Sequence, residues 1–162
     1  MNKTKIVFIL LLIIIIVISV LTTKESKVES IENTEIIENQ NTKIVLYYSD
    51  CEKGELVKEY RNVDVENIKN DMPLTIINEL LKGPQNTELV QTIPNETKVN
   101  SISIEKNKII IDFSKEFKEN AEDELKNLHK IYSVVNSLTE ITEINEVEIR
   151  VEGEFITSKV RL

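Results

Sequence analysis

One stretch near the N-terminus divides this chain into two parts. Sixteen residues, Ile6 to Leu21, contain a single polar side chain, Ser19, and Thr22 and Thr23 extend the run before Lys24. As a helix rising 1.5 Å per residue, the run measures about 24 to 27 Å, close to the thickness of a bilayer core. Because unpaired backbone groups are very unfavourable in lipid, a lone segment there must be helical. The sequence predicts a transmembrane anchor over residues 6–23.

A cleavable signal peptide is the alternative interpretation of this run, because residues 2–5 form a short basic segment before it. No small-residue cleavage site follows, however, and no cysteine nearby can accept a lipid. An uncleaved anchor is therefore favoured. Lys3 and Lys5 place residues 1–5 in the cytoplasm, since basic residues flanking a membrane span stay inside. We expect a single-pass protein of the cell membrane whose C-terminal part lies outside the cytoplasm.

Composition limits what the remaining chain can be and bind. The 162 residues suffice for one domain with appendages, and the formal net charge is -8. An acidic surface repels nucleic acid, so no nucleic-acid partner is expected. Cys51 is the single cysteine, so no intrachain disulfide can form. It is interpreted as a tolerated loop thiol, with an intermolecular disulfide as the rarer alternative.

Three regions follow the anchor. Residues 24–42 are polar and acidic with isolated apolar residues, which is typical of a flexible linker. Residues 43–155 carry the periodic hydrophobic patterns of a folded domain, and residues 156–162 are expected to be a C-terminal tail.

The domain is predicted to have the order β-β-α-β-β-α-β. Such a mixture favours an α+β fold with two helices packed on one face of a small sheet. The predicted elements are strands at 44–48 and 55–63, a helix from Asp71 to the Gly83-Pro84 pair, a hairpin over 99–113, a helix at 121–138 and a final strand at 147–151.

Capping residues and spacing define the two helices. Asp71 can cap the first helix, with Pro73 in its first turn. Gly83 can adopt the left-handed conformation that ends it, and Pro84 cannot continue it. The second helix is expected to bury one apolar stripe. That stripe consists of Leu125, Leu128, Tyr132, Val135 and Leu138.

The residues that could perform chemistry are few and scattered. His129 is the single histidine, and without nearby ligands it is better interpreted as a helix-flank residue than as a metal ligand. Three glycines exclude a glycine-rich phosphate loop. The acidic run at 116–124 is typical of a solvated helix N-terminus. Asp112 is expected to be structural and to cap the turn after its strand. The prediction is no enzyme, with no catalytic residue, cofactor or metal.

Several motifs, in this order, resemble the GerMN domain family of sporulation and spore germination proteins. The resemblance covers about residues 43–155 and implies a non-enzymatic envelope domain, similar in fold to ring-building modules. The motifs are Leu46-Tyr47-Tyr48, Gly54 to Val57, Glu79 to Pro84, Thr92 to Val99, Ile109 to Phe117, Ser137 to Thr139 and Val147 to Gly153.

The resemblance and the predicted anchor together give a functional expectation. We expect a structural or interaction protein that assembles with itself or with envelope partners during sporulation or germination. In this interpretation Gly83, Pro84, Pro94 and Asp112 have structural roles. The alternative is a ligand-binding module that senses a cell-wall fragment, a peptide or a small molecule.

Overall fold

The structure, a computed structural model, describes residues 40–119 and 122–160. These residues belong to a compact unit, Asn39–Leu162. The predicted anchor and nearly all of the predicted linker lie outside the described residues. In the part of the chain that is described, no helix has the length and hydropathy needed to cross a membrane.

A long hairpin begins the domain. Strands β1 (Asn41–Asp50) and β2 (Leu56–Asp64) pair antiparallel from Asn41 opposite Asp64 to Ser49 opposite Leu56. Alternate side chains of β1, including Leu46 and Tyr48, enter the core. Asp50 fixes the turn, because its carboxylate accepts hydrogen bonds from the next backbone N–H groups.

Helix α1 (Val65–Leu81) is two helical segments joined at a kink. Asp64 caps the first segment by accepting a hydrogen bond from the N–H of Glu66. Asp71 has an extended backbone at the kink and accepts from the N–H of Leu74 at 3.0 Å. Asp71 therefore caps the second segment as predicted, while the helical turn before it was not expected.

The second half of the domain forms a separate sheet. It contains β4 (Val99–Glu105), β5 (Lys108–Phe113), β6 (Glu146–Val151) and β7 (Glu154–Val160), in that spatial order. Strands β5 and β6 are parallel, and the other neighbours are antiparallel. The predicted hairpin is confirmed, although the positive φ in its turn falls on Lys106 rather than on an asparagine.

Two predictions about the sheets were wrong. The domain has two sheets rather than one, because the hairpin continues only into the two-residue strand β3 (Leu89–Val90). Beside β3, the helix that contains Ser137 covers the rest of this edge of β1. The N–H of Tyr47 donates to the hydroxyl of Ser137 at 3.0 Å. Residues 156–160, expected in a tail, lie in β7.

Helix α2 (Glu124–Leu138) joins the two sheets. It contacts β1 and β2 of one sheet and β6 of the other, and α1 packs against it. Apolar residues from both helices and both sheets form a single core. Stacked rings of Phe113 and Phe117, with centroids 4.4 Å apart, attach the 3-10 helix Lys115–Lys118 to this core.

The predicted apolar stripe of α2 is wrong at its N-terminal end. Val135 and Leu138 are buried, but Leu125 and Leu128 are 55% and 45% exposed. The buried residues of this helix begin only at Lys130. They are Lys130, Ile131 and residues 133–138.

Candidate functional site

A cleft of about 720 Å³ lies at one end of the domain. One side is the first half of α2, and the other consists of the β1–β2 turn and the segment that follows β3. Its volume falls in the range usual for sites that bind small ligands. Asp50, at the end of β1, is part of its lining, so the cleft lies at the far end of β1 from Asn41.

Apolar side chains line the central part of the cleft. Leu125 contributes from α2, and Val90, Ile93 and Pro94 contribute from β3 and the segment after it. Val90 is 48% exposed although it lies in a strand. The cleft therefore combines solvent-accessible apolar surface with charged residues.

The charges of the lining are separated by element. All basic lining residues, Lys126, His129 and Lys130, lie on α2. The acidic lining residues lie on the other elements, namely Asp50, Glu96 and Glu119. Backbone hydrogen bonds from Lys53 and Glu52 lower the pKa of Asp50, so this carboxylate stays ionised. The cleft is thus lined by charged residues of both signs, and the ammonium group of Lys126 is itself paired with Asp123 at 3.3 Å.

Lys130 is a buried lysine among the lining residues that α2 contributes. Its side chain is only 2% exposed, and burial lowers its pKa below the usual value for lysine. Its ammonium group donates to the carbonyl oxygen of Glu119 at 2.9 Å and lies 5.1 Å from the ring centroid of Phe117. These contacts hold the end of the 3-10 helix against α2.

Cys51 and His129, considered separately in the sequence, both line this cleft. Cys51 is exposed in the β1–β2 turn, and its backbone N–H donates to the carbonyl oxygen of Glu88. Pro94 lines the cleft as well, and its carbonyl oxygen accepts from the N–H of Thr97. Among the described residues, no group of histidine, cysteine and carboxylate side chains has an arrangement that could hold a metal ion.

The Gly83-Pro84 turn is held by a buried ion pair outside the cleft. Arg61 is paired with Glu59, and both are buried. Arg61 also donates to the carbonyl oxygens of Glu79 and Gly83 at 2.6 and 2.8 Å. Glu59 accepts from the N–H groups of residues 85 and 86. The pair satisfies the carbonyl of Glu79 in the last turn of α1 and that of Gly83 just after it, and it fixes the chain that leads to the cleft.

Gly83 itself has φ of +82°, a conformation that glycine adopts without strain. It is buried, and a Cβ built on it would lie 2.6 Å from Oε1 of Gln91, a lining residue of the cleft. Pro84 follows and is half-buried. The turn therefore packs closely against the side chain of Gln91.

Asp112 binds a different turn from the one expected. Its Oδ1 accepts from the N–H of Gly153 at 2.8 Å, in the β6–β7 turn, and its Oδ2 accepts from Nδ2 of Asn100 at 3.2 Å. The hydroxyl of Ser114 instead accepts from the N–H of Lys98. Asp112 thus ties three strands together away from the cleft.

Sequence reasoning did not find the cleft as a whole. Its lining comes from four separate parts of the chain, and alternation within one element cannot reveal such a set. One signal was available: Leu125 lies near the N-terminus of α2 among the charged residues of 122–126.

The geometry defines an α+β domain of two sheets joined by α2, with a cleft lined by apolar and charged residues. A family model described as Germane, sporulation and spore germination, matches residues 45–157. The chain belongs to this family, which confirms the resemblance to GerMN domains.

Solved structures agree with this membership. The tandem GerMN domains of the sporulation protein GerM from Bacillus subtilis match with a TM-score of 0.62 and 20% identity. That match covers 75% of this chain and 45% of the GerM chain, so this chain spans less than half of the tandem protein. The first GerMN domain of the same protein matches with a TM-score of 0.54, 26% identity and coverage of 71% and 86%. No curated protein matches the chain significantly.

Proposed function

We propose that this chain is a membrane-anchored interaction protein that presents one GerMN domain outside the cytoplasm and assembles with envelope partners during sporulation or germination. Membership of the Germane family supports the developmental setting. The apolar run at 6–21, with Lys3 and Lys5 before it, supports the anchor and its orientation.

The observation that carries the proposal is the exposed apolar surface at the cleft. Leu125 and Val90 are about half exposed although both belong to regular elements. Exposed apolar groups rimmed by charged residues are typical of surfaces that bind a partner. Burying them against a partner would remove the apolar area from water, which is the main favourable term in association.

Cys51 provides a test of the proposed location, because it is the single cysteine of the chain and is exposed. In intact sporulating cells, a membrane-impermeant maleimide should label the full-length chain, and Cys51→Ser should abolish the labelling. Labelling that occurs only after the cells are broken open would exclude an extracytoplasmic domain.

Chemical crosslinking of intact sporulating cells tests assembly. The full-length chain should enter specific adducts, either with itself or with other envelope proteins. A chain that is labelled from outside but stays monomeric under all crosslinking conditions would contradict the interaction role while leaving the location intact.

A ligand-binding module is the second candidate function, and the volume of the cleft favours it. Soluble cell-wall fragments added to the full-length chain should then raise its thermal unfolding midpoint, since a ligand that binds only the folded state stabilises it. Leu125→Asp should abolish that shift if the cleft is the site.

A further inference from the structure

We propose that two copies of this chain associate through the free edges of their β4 strands, which pair antiparallel about a two-fold axis at Ser103. The second sheets of the two copies would then form one continuous sheet. The inference deepens the proposed interaction function by naming a second copy as a partner, and it rests on that function. The proposed anchor would confine the copies to one membrane, and the higher effective concentration there favours a contact of this small size.

β4 is an edge strand with little protection against pairing. It is the first strand in the order β4-β5-β6-β7, and within the described residues no strand pairs with its other edge. Edge strands usually avoid association through charged side chains, bulges or short length. The bulge of β4 lies at its start, between Val99 and Ser101, so residues 101–105 are regular. That regular part carries a single charge, on Glu105.

The other edge strands have the protection that β4 lacks. β7 contains a bulge in its pairing with β6 and carries Glu154 and Lys159. β3 has two residues. β2 has four charged residues, namely Lys58, Glu59, Arg61 and Asp64. Among the described strands, β4 therefore has the edge best suited to pairing with another copy.

The hydrogen-bond pattern of β4 directs two isoleucines toward its free edge. The two-residue turn 106–107 connects Glu105 with Lys108, and the closing pair of such a hairpin shares the ladder hydrogen bonds. Because the bonded side alternates along an antiparallel strand, Ser103 also directs its backbone N–H and C=O toward β5. The backbone groups of Ile102 and Ile104 therefore point away from β5, where a second strand can bind them.

One register satisfies these backbone groups within the regular part of β4. If Ser103 of one copy lies opposite Ser103 of the other, Ile102 of each copy lies opposite Ile104 of the other. Each of these pairs can exchange backbone hydrogen bonds in both directions. Sliding one strand by two residues would instead bring Asn100, at the bulge, or Lys106, in the turn, opposite an isoleucine.

The side chains favour the same register. Ile104 is 52% exposed although it lies on the core face of the sheet, opposite the buried Ile109. In the paired copies, Ile104 would contact Ile102 of the second copy and lose exposed apolar area. On the other face, Glu105 would lie opposite the uncharged Ser101, so no like charges would face each other.

Disulfide crosslinking of the full-length chain in membranes of sporulating cells tests this register. In a Cys51→Ser background, Ser103→Cys should form a disulfide-linked dimer when diamide is added. Directly opposite residues that share no hydrogen bond have Cα atoms about 4.5 Å apart, a distance that a disulfide spans.

Ser101→Cys in the same background is the matched control, because Ser101 is also exposed and lies on the same face of the same strand. The two Ser101 positions would be separated by about 14 Å along the strands, which is too far for a disulfide. We expect at least about tenfold less dimer from this variant.

Two exposed aliphatic residues provide a second pair of variants, each combined with Ser103→Cys. Ile104→Asp should reduce the yield of dimer by about fivefold or more, because it places a carboxylate opposite an isoleucine. Leu128→Asp should change the yield by less than about twofold, because Leu128 is similarly exposed but lies on α2, outside β4 and outside the cleft lining.

Equal yields of dimer from Ser101→Cys and Ser103→Cys, or no dimer from either, would overturn the proposal. If the Ser103→Cys dimer is absent while chemical crosslinking in cells yields specific adducts with other envelope proteins, the interaction function stands without the β4 contact. If neither experiment yields an adduct, the proposed function fails with the inference.

Discussion

Nη2 of Arg61 donates a hydrogen bond of 2.8 Å to the carbonyl oxygen of Gly83. Arg61 lies in β2 and Gly83 lies just after α1, so this bond joins the hairpin to the turn that leads toward the cleft. Glu59 completes the arrangement by pairing with the guanidinium group and accepting two backbone hydrogen bonds. A buried charge pair of this kind is strongly disrupted by the loss of one partner.

Arg61→Met should lower the free energy of unfolding by about 3 to 5 kcal/mol, because Glu59 would remain buried without its partner. Urea unfolding measures this change. Lys58→Met is the control on the same strand, since Lys58 is about half exposed and its ion pair with Glu140 spans 3.3 Å. We expect that control to lose at most about 1 kcal/mol. Equal losses would contradict a special role for Arg61.

Comparing Gly83→Ala with Gly54→Ala distinguishes the cost of backbone strain from the cost of a steric contact. Both glycines have positive φ, which should destabilise an alanine by about 1 to 2 kcal/mol. A Cβ at position 54 meets nothing within 4 Å, whereas at position 83 it meets Gln91. Gly83→Ala should therefore be the more destabilising in thermal unfolding, and Gly83→Ala should also weaken any cleft ligand. Equal thermal unfolding midpoints for the two variants would show that the contact with Gln91 does not affect stability.

Because the hydroxyl of Tyr48 is buried, we expect the domain to lose stability at alkaline pH. Burial raises its pKa to about 12 from an ordinary value near 10. Because the folded state holds this proton more tightly, the protonated Tyr48 hydroxyl makes its full contribution to the free energy of unfolding below pH 10. That contribution is lost as pH rises toward 12. Its size is about 2 to 3 kcal/mol. Urea unfolding across this range should show a steeper decline for the wild type than for Tyr48→Phe, and parallel curves would contradict the assignment.

Ile111→Ala and Ile104→Ala test how far the core extends across the second sheet. Both side chains lie on the same face, since Ile104 is opposite Ile109, two residues from Ile111. Ile111 in β5 is fully buried, so its truncation should lower the free energy of unfolding by about 2 to 5 kcal/mol. Ile104 in β4 is 52% exposed and should lose less than about 0.5 kcal/mol. A reversed order would mean that the core lies against β4 rather than β5.

Local signals predicted the elements better than their assembly. Alternation predicted the hairpin that became β4 and β5, and the pairing of Asp71 with Pro73 predicted the start of the second segment of α1. The separation into two sheets could not be read from the chain. At the edge of the first sheet, for example, Tyr47 contacts Ser137, which is 90 residues away along the chain.

The candidate site was less predictable than the fold. Helical spacing placed Leu125 and Leu128 on the apolar stripe, but spacing does not reveal which part of a helix is packed against the core. Cys51 and His129 were recognised individually as unusual residues, and only the fold places both in one cleft. The buried pair of Glu59 and Arg61 resembled ordinary surface charges in the sequence because they alternate within a strand.

Deletion of the gene, followed by counting of heat-resistant spores and timing of germination, tests the central claim most directly. The deletion should reduce spore yield or delay germination, and the full-length chain and its Leu128→Asp variant should both restore the wild-type result. Leu125→Asp should fail to restore it although the protein accumulates normally. Normal spore yield and normal germination in the deletion strain would contradict the proposed role.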